Sequence, residues 1–269
     1  MGVPYAEVIG DPIAHSKSPL IHKFWLGKLG LEGDYRRTLV PSRDLGAHLQ
    51  ERRRDPDWSG CNVTSPHKVD IVELLDGLFP EAKAAGAVNL VKNHRGTLLG
   101  SNSDLRGFAE PFRSAYSERG TAALIGAGGA ARAAFIALAG LNFDIVHVAN
   151  RTPGKAEAML RSLNQEGLAP CSLEDPIPAV DLLVNASAIG GPGNDFDFDL
   201  SGLPDDAIVY DIVYSPLETP LLAAARSRGL RTIDGLSMLI GQAAAAFVYF
   251  FDGIPPREHD PELRELLTR

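Results

Sequence analysis

A chain of 269 residues, 45% hydrophobic and 22% charged, is long for one domain and comfortable for two, and it can bury cores without a disulfide or a metal to hold it together. Its formal net charge of -8 argues against nucleic acid or an anionic membrane surface as the main partner. Two cysteines, Cys61 and Cys171, make neither a disulfide framework nor a metal-ligand cluster, so no metal is expected.

The N-terminal stretch lacks a basic region followed by an apolar run and a cleavage site. The longest apolar stretch, 243–251, falls far short of the roughly 20 residues of a spanning helix. Together these lead to the expectation of a cytoplasmic protein without a membrane partner.

In chain order, residues 5–9 read as a strand and 18–29 as a helix opened by Ser18 and Pro19. Residues 35–39 read as a second strand and 45–54 as an amphipathic segment. A short strand at 60–63 runs into Pro66, where a helix can begin. Segments 88–92 and 98–101 flank Asn93-His94-Arg95-Gly96, which reads as a hairpin. After Asp104 the pattern changes. Residues 121–125 form a buried strand that Gly126-Ala-Gly-Gly-Ala-Ala-Arg132 turns into a helix over 130–138.

A strand at 144–149, a helix at 153–163 and short apolar strands at 181–185, 207–211 and 230–234 follow. An alanine-rich helix over 237–251 stops at Gly253 before Pro255-Pro256. Strand and helix alternating through short links predict parallel sheet with right-handed crossovers. The expected fold is α/β: a first α/β domain over 1–104, completed by the C-terminal helices 237–269, a doubly wound parallel-sheet domain over 105–236, and a cleft between them.

Gly126, Gly128 and Ala131 make a G-x-G-x-x-A turn directly between a strand and a helix. The first glycine permits the tight turn, the second admits a pyrophosphate to the backbone, and the small third residue packs the helix close to the strand. The phosphates then meet the free N–H groups of the helix start. The next strand ends in Asn150-Arg151-Thr152 with Lys155 close behind, where an NAD site usually carries a carboxylate. A guanidinium suits a 2′-phosphate, so NADP is favoured over NAD.

Ser16-Lys17-Ser18-Pro19 places two hydroxyls before a helix, where they can hold a carboxylate, although capping is the commoner role of serine there. Asn62-Val63-Thr64-Ser65-Pro66-His67-Lys68 is denser in polar side chains than a simple loop requires, and Asn89 and Ser101-Asn102-Ser103-Asp104 also lie at strand ends. Any one of these reads as a turn or a solvated face. Together they recur where open α/β sheets bind ligands.

The run Ile9-Gly-Asp-Pro, followed by His15-Ser-Lys-Ser-Pro-Leu-Ile-His22, resembles the N-terminal signature of shikimate dehydrogenases. Residues 62–68 match that family's N-V-T-x-P-x-K loop, and Gly126-Ala-Gly-Gly-Ala, Asn150-Arg-Thr and Met238-Leu-Ile-Gly-Gln242 are similar to its further elements, in the family's order.

The resemblance implies reversible NADPH-dependent reduction of 3-dehydroshikimate, a small anionic cyclic polyol acid, on a Rossmann-type domain. It implies Lys68 as general acid/base, a role open to a poised amine, with Asp104 as its partner. It further implies Ser16 and Ser18 on the substrate carboxylate, Tyr214 completing that end, Thr64, Asn89 and Gln242 on ring hydroxyls, and Ser103 as a further substrate-binding residue. Gly126, Gly128, Gly129, Ala130, Asn150, Arg151, Thr152, Lys155, Ile212 and Gly235 would hold the cofactor. The expected assembly is a monomer or homodimer.

Three positions depart from the family pattern. Ser103 stands where threonine is usual, Lys23 follows His22 where asparagine is common, and Asn185-Ala-Ser-Ala-Ile-Gly-Gly replaces N-A-T-S-x-G-M. Sister activities on quinate or an aminated shikimate, with NAD, and a non-catalytic ligand-binding homologue are the competing readings.

Overall fold

The computed structural model describes residues 2–112, 120–165, 167–194 and 197–269. The chain divides into two compact units, one formed by Met1–Ser103 with Ile240–Arg269 and the other by Asp104–Leu239. No helix among the described residues is long and apolar enough to cross a membrane.

The first unit contains β1 (Tyr5–Gly10), α1 (Ser18–Leu29), β2 (Asp34–Leu39), α2 (Leu45–Arg52), β3 (Trp58–Val63), β4 (Gly77–Leu78), α3 (Pro80–Ala85), β5 (Leu90–His94) and β6 (Thr97–Ser101). Its six strands lie in the order β2-β1-β3-β5-β6-β4. Strands β2, β1 and β3 run parallel, whereas β5 is antiparallel to β3 and to β6. Every residue of β1 is buried, as expected of a strand covered on both faces.

One face of this sheet packs Ile9, Leu49, Trp58, Val63, Val91 and Leu98. The other packs Val8, Tyr35 and Leu90 against Ala246 and Phe250 from the end of the chain. The hairpin forms with His94 opposite Thr97, leaving Arg95 and Gly96 as a two-residue loop.

No α-helix opens at Pro66. The chain turns through 65–69 and continues into a 3-10 turn, Asp70–Leu74. The Lys68 carbonyl accepts the Val88 N–H at 2.7 Å, and the Val72 N–H, four residues on from Lys68, turns to the Val69 carbonyl at 3.2 Å in a 3-10 bond instead.

The second unit contains α4 (Asp104–Ala109), β7 (Gly120–Ile125), α5 (Gly129–Gly140), β8 (Phe143–Ala149), α6 (Pro153–Ser162), β9 (Pro170–Cys171), β10 (Leu182–Asn185), β11 (Ile208–Asp211), α7 (Pro220–Ser227) and β12 (Arg231–Ile233). Helix α8 (Gly235–Phe251) starts in this unit and ends in the first, followed by α9 (Asp260–Thr268).

The six strands are all parallel, in the order β12-β11-β10-β7-β8-β9. This is the doubly wound Rossmann order, with its switch point between β7 and β10. Helices α4, α5 and α6 supply Phe108, Ala134, Leu138, Met159 and Leu160 to one face, and α7 supplies Leu221, Leu222 and Ala225 to the other.

Candidate active site

In the second unit, the candidate cofactor residues gather at the carboxyl ends of the parallel strands. Gly126 follows β7 with φ +120, and a Cβ there would lie 2.7 Å from the Ala186 carbonyl oxygen. Only glycine combines that dihedral with that approach. Gly128 precedes α5 without a side-chain cap, and a Cβ on it would meet nothing within 4 Å. Gly129 and Ala130 are half-buried in the first turn of α5, and Ala131 is fully buried. The turn therefore leaves open space in front of uncapped N–H groups, as a pyrophosphate requires.

Asn150 leaves β8 and folds over the next turn, donating its Nδ2–H to the Thr152 carbonyl at 2.8 Å. Thr152 precedes α6, and the Lys155 N–H closes that turn on the Thr152 carbonyl at 2.9 Å. Arg151, Thr152 and Lys155 are exposed, so two cations stand at the start of one helix. Gly235 opens α8, and a Cβ there would fall 2.3 Å from the Ile212 carbonyl oxygen, so the start of α8 lies directly against the chain leaving β11. Tyr214 is half-buried two residues beyond Ile212.

In the first unit, Ser16 and Ser18 are both buried, with their hydroxyls 3.3 Å apart. Arg37 on β2 donates to the Ser16 carbonyl at 2.7 Å. Lys17 donates to the Leu267 carbonyl of α9, so the serine loop is tethered on two sides. Thr64 is held by its N–H on the Ile9 carbonyl at 2.9 Å. His67 is fully buried and donates Nε2–H to the Val40 carbonyl at 2.6 Å, which anchors the turn that carries Lys68.

Asn89, Ser103 and Gln242 are buried together. The Asn89 Nδ2–H donates to the Ser103 hydroxyl at 3.0 Å, and the Ser103 N–H donates to Asn89 Oδ1 at 2.7 Å. The same hydroxyl lies 3.5 Å from Gln242 Oε1. Behind them, Asn62 donates to the Asn89 carbonyl at 3.1 Å and accepts the Tyr35 hydroxyl at 2.6 Å. Asp104, the next residue after Ser103, is buried as the first residue of α4. Lys68 belongs to the first unit and Asp104 to the second.

Several residues of consequence were given no role by the sequence, Asn62 and His67 within the 62–68 motif among them. Asn62, His67 and Arg37 support the loops just described, and Asp211 sits at the end of β11 with burial pushing its pKa up to about 6. An acidic residue closing an apolar strand was the one sequence signal for Asp211.

Residues 8–91 match the model of a family described as the shikimate dehydrogenase substrate binding domain. A curated shikimate dehydrogenase (NADP(+)) of Sphingopyxis alaskensis is 53% identical over 267 residues, spanning 98% of this chain and 97% of its own. Among solved structures, shikimate 5-dehydrogenase from Thermus thermophilus in complex with NADP(H) and shikimate is 36% identical, with a TM-score of 0.86 over 98% of this chain and 99% of that one. Quinate dehydrogenase from Corynebacterium glutamicum in complex with NAD is 31% identical, with a TM-score of 0.84 over 98% and 99% of the two chains.

Proposed function

Because this chain belongs to the shikimate dehydrogenase family, we infer that it catalyses the reversible NADPH-dependent reduction of 3-dehydroshikimate to shikimate. The observation that carries this reading is the buried Asn89–Ser103–Gln242 cluster immediately before Asp104. Three side chains with hydrogen-bonding capacity held in register fit a ligand bearing several ring hydroxyls, and an analogue lacking one hydroxyl would leave a partner unpaired.

Asn89 and Gln242, with Thr64, bind the ring hydroxyls, while Ser103 orients the first two. Ser16 and Ser18 donate their hydroxyls to the substrate carboxylate at the start of α1, and Tyr214 completes that end. Lys68 donates a proton to the carbonyl oxygen in reduction and removes it in oxidation, and Asp104 hydrogen-bonds the ammonium and the reacting hydroxyl.

The second unit suits NADP. Gly126, Gly128, Gly129 and Ala130 leave room for the pyrophosphate, and Arg151 and Lys155 offer cations to the 2′-phosphate, with Asn150 and Thr152 shaping their turn. Ile212 and Gly235 line the nicotinamide end. When bound, NADPH supplies the hydride for the carbonyl carbon.

The deciding experiment follows reduced-cofactor absorbance with shikimate and quinate, each offered NADP and NAD. Strong turnover of shikimate with NADP alone is the expected result. Preference for quinate or NAD would move the chain to the activity named for the Corynebacterium glutamicum neighbour. No turnover with any pair would favour a binding role.

A further inference from the structure

The ends of β10 and β11 are joined by a buried polar hub that none of the assigned roles uses. Asp211 Oδ1 accepts the Asn185 Nδ2–H at 2.9 Å and the Val213 N–H at 3.0 Å, and Oδ2 accepts the Thr219 hydroxyl at 2.6 Å. Asn185 and Asp211 are both fully buried. The other Asn185 Nδ2–H donates to the Ile189 carbonyl at 2.8 Å, while its Oδ1 accepts the Ser187 N–H at 3.1 Å and the Ser187 hydroxyl at 2.7 Å. The carboxamide is saturated and can face only one way, because reversing it would set its oxygen against the carboxylate.

The loop 186–190 is thereby folded back on Asn185, and its Ala186 carbonyl is the group against which Gly126 packs. The chain leaving β11, with Ile212 and Tyr214, is held by the same carboxylate through Val213.

We propose that Asp211 is a positioning residue for the reaction: its carboxylate locks the chain leaving β11 to the loop leaving β10, so that both are presented together to the nicotinamide end of the cofactor. This rests on the reading that Ile212 and Gly235 line that end. Three donors converge on Asp211 and no acceptor needs a proton from it, so an ionised carboxylate matches the hub. An amide of the same shape can substitute. Its oxygen accepts from Asn185 and Val213, while its NH2 donates to the Thr219 hydroxyl oxygen, which keeps a second lone pair beside the one that takes the Leu222 N–H at 3.2 Å.

The test uses the full-length chain with Asp211→Ala, Asp211→Asn and Ser187→Ala. Adenosine 2′,5′-bisphosphate probes the adenosine half of the site, and steady-state kinetics with shikimate and NADP probe the rest. Asp211→Ala is expected to lower kcat about a hundredfold while bisphosphate affinity stays within about twofold, because only the nicotinamide end is misplaced. Asp211→Asn is expected to recover kcat to within about fivefold of native. Ser187→Ala removes a single hydroxyl from the Asn185 limb, keeps the fold, and is expected to lower kcat about three- to tenfold.

Native kcat in Asp211→Ala or in Ser187→Ala, or an Asp211→Asn variant as impaired as Asp211→Ala, overturns the proposal. A native chain that neither binds the bisphosphate nor turns over shikimate overturns the functional reading beneath it instead.

Discussion

Asp211 illustrates what burial does to a single ionisable group. Its three donors lower its pKa, but burial outweighs them and lifts it from the ordinary 3.8 to about 6. A folded-state value above the unfolded one means that this group favours the fold fully below pH about 4, and that the contribution is lost as pH rises through about 6. The loss is about 3 kcal/mol. The melting temperature of Asp211→Asn, measured relative to the native chain, should therefore increase between pH 4 and pH 7; a flat or falling difference would refute the assignment.

At Lys68 the expectation is kinetic. Lys68→Ala should lower kcat by about 10²–10⁴ while NADP affinity survives, since general acid/base catalysis typically supplies that range. Unchanged turnover would remove the lysine from the mechanism. Arg151→Ala should weaken NADP selectively, and an equal loss for NAD would show that the guanidinium does not read the 2′-phosphate. Residue types at strand ends were legible in the sequence, as Asn89 and Arg151 show. Their partners were not: Tyr35, Asn62 and Asn89 form one chain of hydrogen bonds only because β2, β3 and β5 are brought into one sheet.

At the scale of elements, α1 and α5 were legible because each begins at a local signal, Ser18-Pro19 and the glycine turn. Helix α4 was not. Its six residues are too short to be stable alone, and it persists because Phe108 stacks on Tyr210 with ring centroids 4.9 Å apart. Pro66, where a helix can begin, opens only a turn for the converse reason: the Lys68 carbonyl takes a distant N–H at Val88 while the Val72 N–H turns to Val69.

Helix α9 falls within the C-terminal helices expected over 237–269, but its contacts were not legible: it buries Leu263 and Leu267, pairs Glu262 with Lys28 at 2.7 Å, and accepts Lys17 at its last turn. Lysine at a helix C-terminus is favoured by the carbonyls exposed there. Lys17→Met should therefore loosen the serine loop, raising the KM for shikimate severalfold with little change in the KM for NADP. Deleting residues 260–269 should add a loss of about 2–5 kcal/mol per buried leucine. A Lys17→Met variant with both KM values unaltered would show that the tether does not serve the substrate.

For the whole molecule, the repeating strand–helix pattern made the α/β class readable, but strand order is set by pairings across long stretches of chain. Nothing local tells β10 to add beside β7 instead of beside β9, and that choice creates the switch point at Gly126. The same long-range logic makes the two units unequal. The second is continuous in sequence, whereas the first needs the end of the chain, because Ala246 and Phe250 cover Val8, Tyr35 and Leu90, and Phe247 lies 5.9 Å from His22. His22 itself is fully buried, and loss of solvation holds its imidazole neutral with a pKa of about 3.

Residues 104–239 expressed alone should therefore unfold cooperatively and bind adenosine 2′,5′-bisphosphate. Residues 1–103 alone should lack a cooperative transition until a peptide spanning 240–269 is added. Independent folding of 1–103 would mean that the aromatic face contributed by α8 is dispensable to the first sheet, whereas a disordered 104–239 would place the stability of the nucleotide sheet outside its own sequence.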